Sequence, residues 1–98
     1  MSRNDNEEPL GKAIDRMLKA YGLEEGYYAA AVATYWEALM GPAVARRTGE
    51  IKLEKGVLRI RIESAALRQE LSYGKDKIID RLNRKLERRI IKEVRFTG

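Results

Sequence analysis

Apolar positions along the chain fall into two different periods. From Leu10 they recur at helical spacing as Leu10, Ile14, Met17, Leu18 and Tyr21, with Lys12, Asp15, Arg16 and Lys19 on the outer side. Pro9 stands where a first helical turn tolerates proline, and Gly22 ends this first helix. Leu23 to Gly26 reads as a turn. A second helix is predicted over about Tyr27 to Met40, with Tyr28, Val32, Tyr35, Trp36 and Leu39 as its apolar stripe. Ala29, Ala30, Ala31 and Ala33 let neighbours approach it closely. Gly41-Pro42 stops it, and Ala43 to Arg47 gives one more short turn of helix.

At residue 50 the period changes to two. Ile51 and Leu53 alternate with Glu50, Lys52 and Glu54, which predicts a half-buried strand. Lys55-Gly56 turns the chain into a hairpin. On the return strand Leu58, Ile60 and Ile62 point inward, while Val57, Arg59, Arg61 and Glu63 point outward. Ser64 is a good N-cap for a third helix reaching about Tyr73. Gly74 breaks it, a fourth helix is predicted from about Lys75 to Arg89, and Ile91 to Phe96 reads as a final strand. The expected fold is α+β in the order α-α-β-β-α-α-β, with helices on one face of a three-stranded sheet.

Ninety-eight residues, 44% hydrophobic and 36% charged, make one domain with one modest core. Met1 to Glu8 lacks apolar residues after the initiator and is expected to be a disordered end, leaving 9–98 as a single domain. No apolar run is long enough for a membrane span. Without a signal pattern at the N-terminus, the protein is expected in the cytoplasm. Cysteine is absent, so there are no disulfides or thiolate metal sites. The net charge of +5 is uneven: residues 1–45 hold four basic and seven acidic side chains, and residues 46–98 hold sixteen and eight. Such asymmetry fits a polyanionic partner such as DNA or RNA, and equally a well-solvated basic protein.

The fourth helix carries the most informative surface. Ile78, Ile79, Leu82 and Leu86 form its buried stripe. Lys77, Arg81, Arg84 and Arg88 fall in one narrow sector, a candidate ridge for phosphates. Asp76, Asp80, Asn83 and Glu87 form a third face, so pairing of Asp80 with Arg84 competes with that reading. Lys52, Arg59, Arg61 and Arg95 share the outer sheet face with Glu50, Glu54, Glu63 and Glu93; cross-strand ion pairs are expected there, with the first helix covering part of the face. Tyr27, Tyr28, Tyr35 and Trp36 read as core by their spacing, whereas Tyr73, beside a glycine, is a candidate for base stacking. With no histidine and no cysteine, most acid–base and nucleophilic devices are missing. No catalytic residue, metal site, cofactor or small-molecule substrate is expected.

Longer segments resemble a known family. Trp36-Glu37-Ala38-Leu39-Met40-Gly41-Pro42-Ala43-Val44-Ala45 resembles the W-x-x-[VI]-[VM]-G-x-x-[IVL]-A segment of the bacterial DciA-like family, long catalogued as domain of unknown function 721. Gly56 to Ile62 resembles its G-x-L-x-V-x-V strand, and Ser64 to Leu71 its S-[SP]-[AV]-[WL]-[AR]-x-E-L helix. Leu82-Asn83 and Ile91 to Phe96 fit its L-N and I-x-x-[IV]-x-F ending. The match runs from about Leu10 to Phe96.

The resemblance implies a bacterial cytoplasmic protein with a KH-like core of type II order, α-β-β-α-α-β, from Glu24 onward. It also implies DNA binding and work with the replicative DNA helicase, in its loading or operation. A KH domain clamps a nucleic-acid backbone with a G-x-x-G loop between two helices. Here the corresponding stretch is Gly74-Lys75-Asp76-Lys77, where one glycine is absent and Asp76 repels phosphate. Better-studied members extend into a tail that takes part in helicase contact, so a short form without that tail is expected. The expected function is a non-enzymatic accessory of DNA replication that contacts single-stranded or duplex DNA, mainly at phosphates, through Tyr73, Lys75, Lys77, Arg81, Arg84 and Arg88. Two alternatives stand beside it: a protein-interaction module without nucleic-acid contact, and an RNA-binding KH-like protein.

Overall fold

The protein's structure, a computed structural model, describes residues 10–98; the expectations for Met1 to Glu8 and for Pro9 lie outside the described residues. The elements are α1 (Leu10–Ala20), α2 (Glu24–Met40), α3 (Pro42–Arg46), β1 (Thr48–Glu54), β2 (Val57–Ile62), α4 (Ala65–Ser72), α5 (Lys75–Leu86) and β3 (Glu93–Thr97). β2 is central, antiparallel to β1 and parallel to β3. A parallel neighbour requires a crossover, which α4 and α5 provide. From α2 onward, with α3 as a short addition, this is the type II KH order.

Alternation along β2 decides which face of the sheet is covered. Leu58, Ile60 and Ile62 are fully buried against Tyr28, Val32 and Trp36 of α2, Leu71 of α4, and Ile78 and Leu82 of α5. The hairpin turn has positive φ at both Lys55 (50°) and Gly56 (82°), the form whose twist matches the strands. Gly56 is doubly required. Its carbonyl accepts from the N–H groups of Lys92 (2.8 Å) and Glu93 (3.2 Å), and a Cβ there would lie 2.9 Å from the Lys92 side chain. The hairpin thereby seats the start of β3.

Several boundaries differ from the sequence expectation. α2 begins at Glu24 rather than Tyr27: the Tyr27 N–H reaches the Leu23 carbonyl at 3.0 Å, and Glu24 and Glu25 suit the positive end of the helix. α5 ends at Leu86 rather than Arg89, because Glu87 takes the left-handed conformation (φ 56°) and closes the last turn. β3 starts at Glu93 rather than Ile91, because the Ile91 backbone is bound to a side chain instead of a strand. Asn83 Nδ2 donates to the Ile91 carbonyl at 2.9 Å, and Asn83 Oδ1 accepts from the Ile91 N–H at 3.0 Å. Asn83→Ala leaves both half-buried backbone groups unpaired. The variant should lose about 2 kcal/mol, read as a lower midpoint in urea with an unchanged slope.

α1 packs on α2 and does not cover the outer sheet face. Of its stripe, Leu18 reaches the core, while Met17 and Tyr21 are 61% and 75% exposed. The helix is tied down by polar contacts. The Tyr28 hydroxyl donates to Asp15 Oδ1, and Arg88 Nε lies 2.8 Å from Asp15 Oδ2, a close charge contact without an aligned hydrogen bond. Gly11 leaves room for that guanidinium, since a Cβ there would overlap it. Burial, then the hydrogen bond and charge of Asp15, push the Tyr28 phenol from 10.0 up to about 12, with Arg88 opposing. The folded state thus holds this proton more tightly than the unfolded chain does. The associated stability is complete below pH 10.0 and is lost as pH rises towards about 12. Tyr28→Phe should flatten that alkaline loss in thermal melts recorded across the same window.

Candidate nucleic-acid interface

α5 positions most of the candidate residues, and its first turn follows directly from the short α4–α5 connection. Gly74 is its N-cap and offers no side chain to the free N–H groups of the first turn. Lys75, Asp76 and Lys77 form that turn, so the stretch corresponding to the KH clamp is helical from its second residue. Asp76 complements the helix dipole where a phosphate would otherwise be held. Tyr73, 73% exposed, stands beside this turn, and its hydroxyl accepts a hydrogen bond from Gln69 Nε2 at 3.0 Å.

The expected ridge of Lys77, Arg81, Arg84 and Arg88 is not one surface. Arg84 is exposed but pairs with Asp80 at 3.1 Å. Arg88 lies beyond the end of α5, and its side chain, 23% exposed, holds Asp15. Lys75 is half-buried, and its charge helps to lower the Glu93 carboxyl. Lys77 and Arg81 remain exposed, with no ion pair among the described residues.

Lys85 completes their row at the spacing i, i+4, i+8, a column of neighbours on one side of a helix. Sequence reasoning missed it, although Lys77-x-x-x-Arg81-x-x-x-Lys85 is legible as a spacing. Its ammonium lies 5.8 Å from the Tyr35 ring centroid. Tyr35, expected in the core, is only half-buried and forms part of this surface. Beside the row, α2, α4 and α5 enclose a cleft of about 290 Å³, floored by Leu39, Met40, Leu71 and Ile78 with Lys77 and Arg81 at its rim. On the other side of α5 a larger cleft of about 660 Å³ is lined by both signs of charge, including Asp76, Asp80 and Glu87 opposite Arg89 and Lys92.

The outer sheet face is a second charged surface. Register places Lys52, Arg59 and Arg95 side by side across the three strands. Like charges therefore meet across the sheet, and the acids bind from flanking positions. Glu50 is 3.7 Å from Lys52 and Glu93 is 2.7 Å from Arg95, each within one strand; Glu54 reaches Arg59 at 3.3 Å across strands. The hydrogen bond from Arg95 holds the Glu93 carboxyl below its ordinary value, and Glu93 raises the Arg95 guanidinium. The cross-strand pairing expected for this face is thus mostly pairing along the strands.

Comparison with known proteins places the chain. A family model described as "Dna[CI] antecedent, DciA" matches residues 9–96. The chain belongs to the DciA family. The family is one of replication accessory proteins associated with the replicative helicase. It is 33% identical over 64 residues to the UPF0232 protein BL0636 of Bifidobacterium longum (strain NCC 2705). The aligned part is 65% of this chain and 41% of that protein, so the chain spans about two fifths of its relative's length. Among the described residues, no helix of this DciA family member is long and apolar enough to cross a membrane.

Proposed function

We propose that this DciA family protein is a non-enzymatic, cytoplasmic accessory of DNA replication. It binds DNA through phosphate contacts along α5 and assists the replicative helicase. The observation that carries this reading is the row Lys77, Arg81 and Lys85. Three exposed cations with no acidic partner among the described residues run from the α4–α5 turn along one side of a helix, the arrangement that follows a phosphate backbone. Tyr73 offers an aromatic face at the start of the row. Arg84 contributes once its exposed bond to Asp80 is exchanged for phosphate; Arg88 acts indirectly, by holding α1. Asp76 in the clamp turn argues for contact along the helix rather than capture of a strand in the turn itself.

Fluorescence anisotropy with labelled single-stranded DNA, duplex DNA and RNA across a salt series tests the proposal. Binding whose logarithm falls steeply with the logarithm of salt supports phosphate contacts and counts them. Preference for RNA over DNA of equal length selects an RNA-binding role instead. A docking module without nucleic-acid contact is favoured by one feature: Met17, Tyr21, Leu23 and Tyr27 are large apolar side chains exposed around the α1–α2 corner. No binding even at low salt selects that reading.

A further inference from the structure

We propose that the open edge of β1, together with the alanine face of α2 beside it, is the contact between two copies of this chain, with their β1 strands antiparallel about Ile51. Three observations converge on this surface. β1 is an outer strand of the sheet. In a two-residue hairpin the residues flanking the turn form a hydrogen-bonded pair, so Glu54 and Lys52 bond to β2. Leu53 and Ile51 then turn their N–H and C=O groups to the open edge. These are groups that recruit another strand unless something covers them.

The second observation is α2. It is apolar on nearly every side, which is the pattern of a helix buried all round. Yet Gly26, Ala30 and Ala33 are exposed. They bound a cleft of about 620 Å³ along the β1 edge, with Ile51 and Leu53 on its other wall. When two sheets join edge to edge about a two-fold axis, the helices above the joined strands become neighbours. Side chains this small let such helices approach to about 8 Å. The alanines of α2 thereby acquire a partner that the single copy does not provide.

The third observation is charge, and it selects a second copy as the occupant. With the axis at Ile51, Glu50 faces Lys52 of the second copy, and Lys52 faces its Glu50. Both pairs lie on the solvent side, where these side chains are 68% and 67% exposed. An axis at Lys52 would set lysine against lysine. An axis at Leu53 overlaps only the end of the strand and runs into the turn. The strand therefore complements itself in charge in this register, with the irregularity between Thr48 and Ile51 confining regular pairing to the residues around the axis.

Sedimentation of the full chain at concentrations up to about 1 mM should show a monomer–dimer equilibrium. Glu50→Lys and Lys52→Glu each set like charges against each other twice and should each weaken the dimer roughly tenfold or more. An equimolar mixture of the two variants places lysine opposite glutamate at both positions and should restore dimerisation. Ala33→Arg, an exposed substitution on α2, should weaken it independently of charge register. A monomer at every concentration overturns the proposal and leaves the edge to a strand from a different protein. A dimer indifferent to these substitutions, or a mixture that fails to restore it, overturns it as well.

Discussion

Replacing Lys77, Arg81 and Lys85 together by glutamate is expected to weaken DNA binding by roughly 10²–10³-fold at moderate salt and to lower the salt slope by about three units. Each residue is exposed and unpaired among the described residues, so each is available to displace one counterion from the DNA. Reversal adds repulsion at the same positions. The fold should survive, because none of the three side chains contributes to the buried cluster. Arg84→Glu should weaken binding less, since Arg84 already pairs with Asp80 at 3.1 Å. Arg88→Ala should chiefly loosen α1 from the segment after α5 by removing the cation beside Asp15, with the Tyr28 hydroxyl still holding Asp15 to α2. Anisotropy titrations of the triple and single variants at several salt concentrations, with circular dichroism to confirm folding, make the comparison. If the triple variant binds as the parent does, the row is only solvated surface.

Trp36→Ala is expected to produce the largest loss of stability. The indole is 2% exposed, its ring lies 6.4 Å from that of Phe96, and its Nε1–H donates to Thr48 Oγ1 at 2.9 Å. Thr48 Oγ1 in turn donates to the Val44 carbonyl at 2.8 Å. Truncation removes the largest side chain of the core and breaks this chain of hydrogen bonds. A loss of about 3–5 kcal/mol is a large part of the roughly 5–15 kcal/mol that holds a domain of this size. The thermal midpoint should fall by roughly 15–30 °C. Trp36→Phe retains most of the packing and loses the hydrogen bond, so it should fall between parent and alanine variant. Thr48→Val, which keeps the shape but leaves a buried indole N–H without its acceptor, should cost about 1–3 kcal/mol. Calorimetry or thermal circular dichroism orders the three.

Thr48 also shows where sequence reading stops. Counting back from Leu53 and Ile51 by twos puts Gly49 on the inner face and Thr48 outside. The register of β1 against β2 shifts between Thr48 and Ile51, so one extra residue is accommodated there. That irregularity turns Thr48 inward, opposite Ile62, where it meets the indole. A bulge leaves no mark in a period of two except an interruption, and Gly49-Glu50 reads equally well as a strand end. Arg88 is a similar case. Its place in the helical sector depended on α5 continuing to Arg89, but the left-handed Glu87 ended the helix and sent Arg88 to Asp15, 73 positions earlier in the chain.

By itself the sequence determined the order of elements, the inward residues of β2, the Ser64 cap and the hairpin turn. Each of these rests on local backbone geometry: a period of 3.6 or 2, a hydroxyl three residues before an N–H, or a pair of residues that tolerate positive φ. Its motifs also carried the likeness to the DciA family. Only the tertiary structure decided which cations stay unpaired, which aromatic residues leave the core, and which strands lie at the edges of the sheet. Those outcomes depend on which distant side chain arrives within about 4 Å, and helix ends, bulges and strand register set that together.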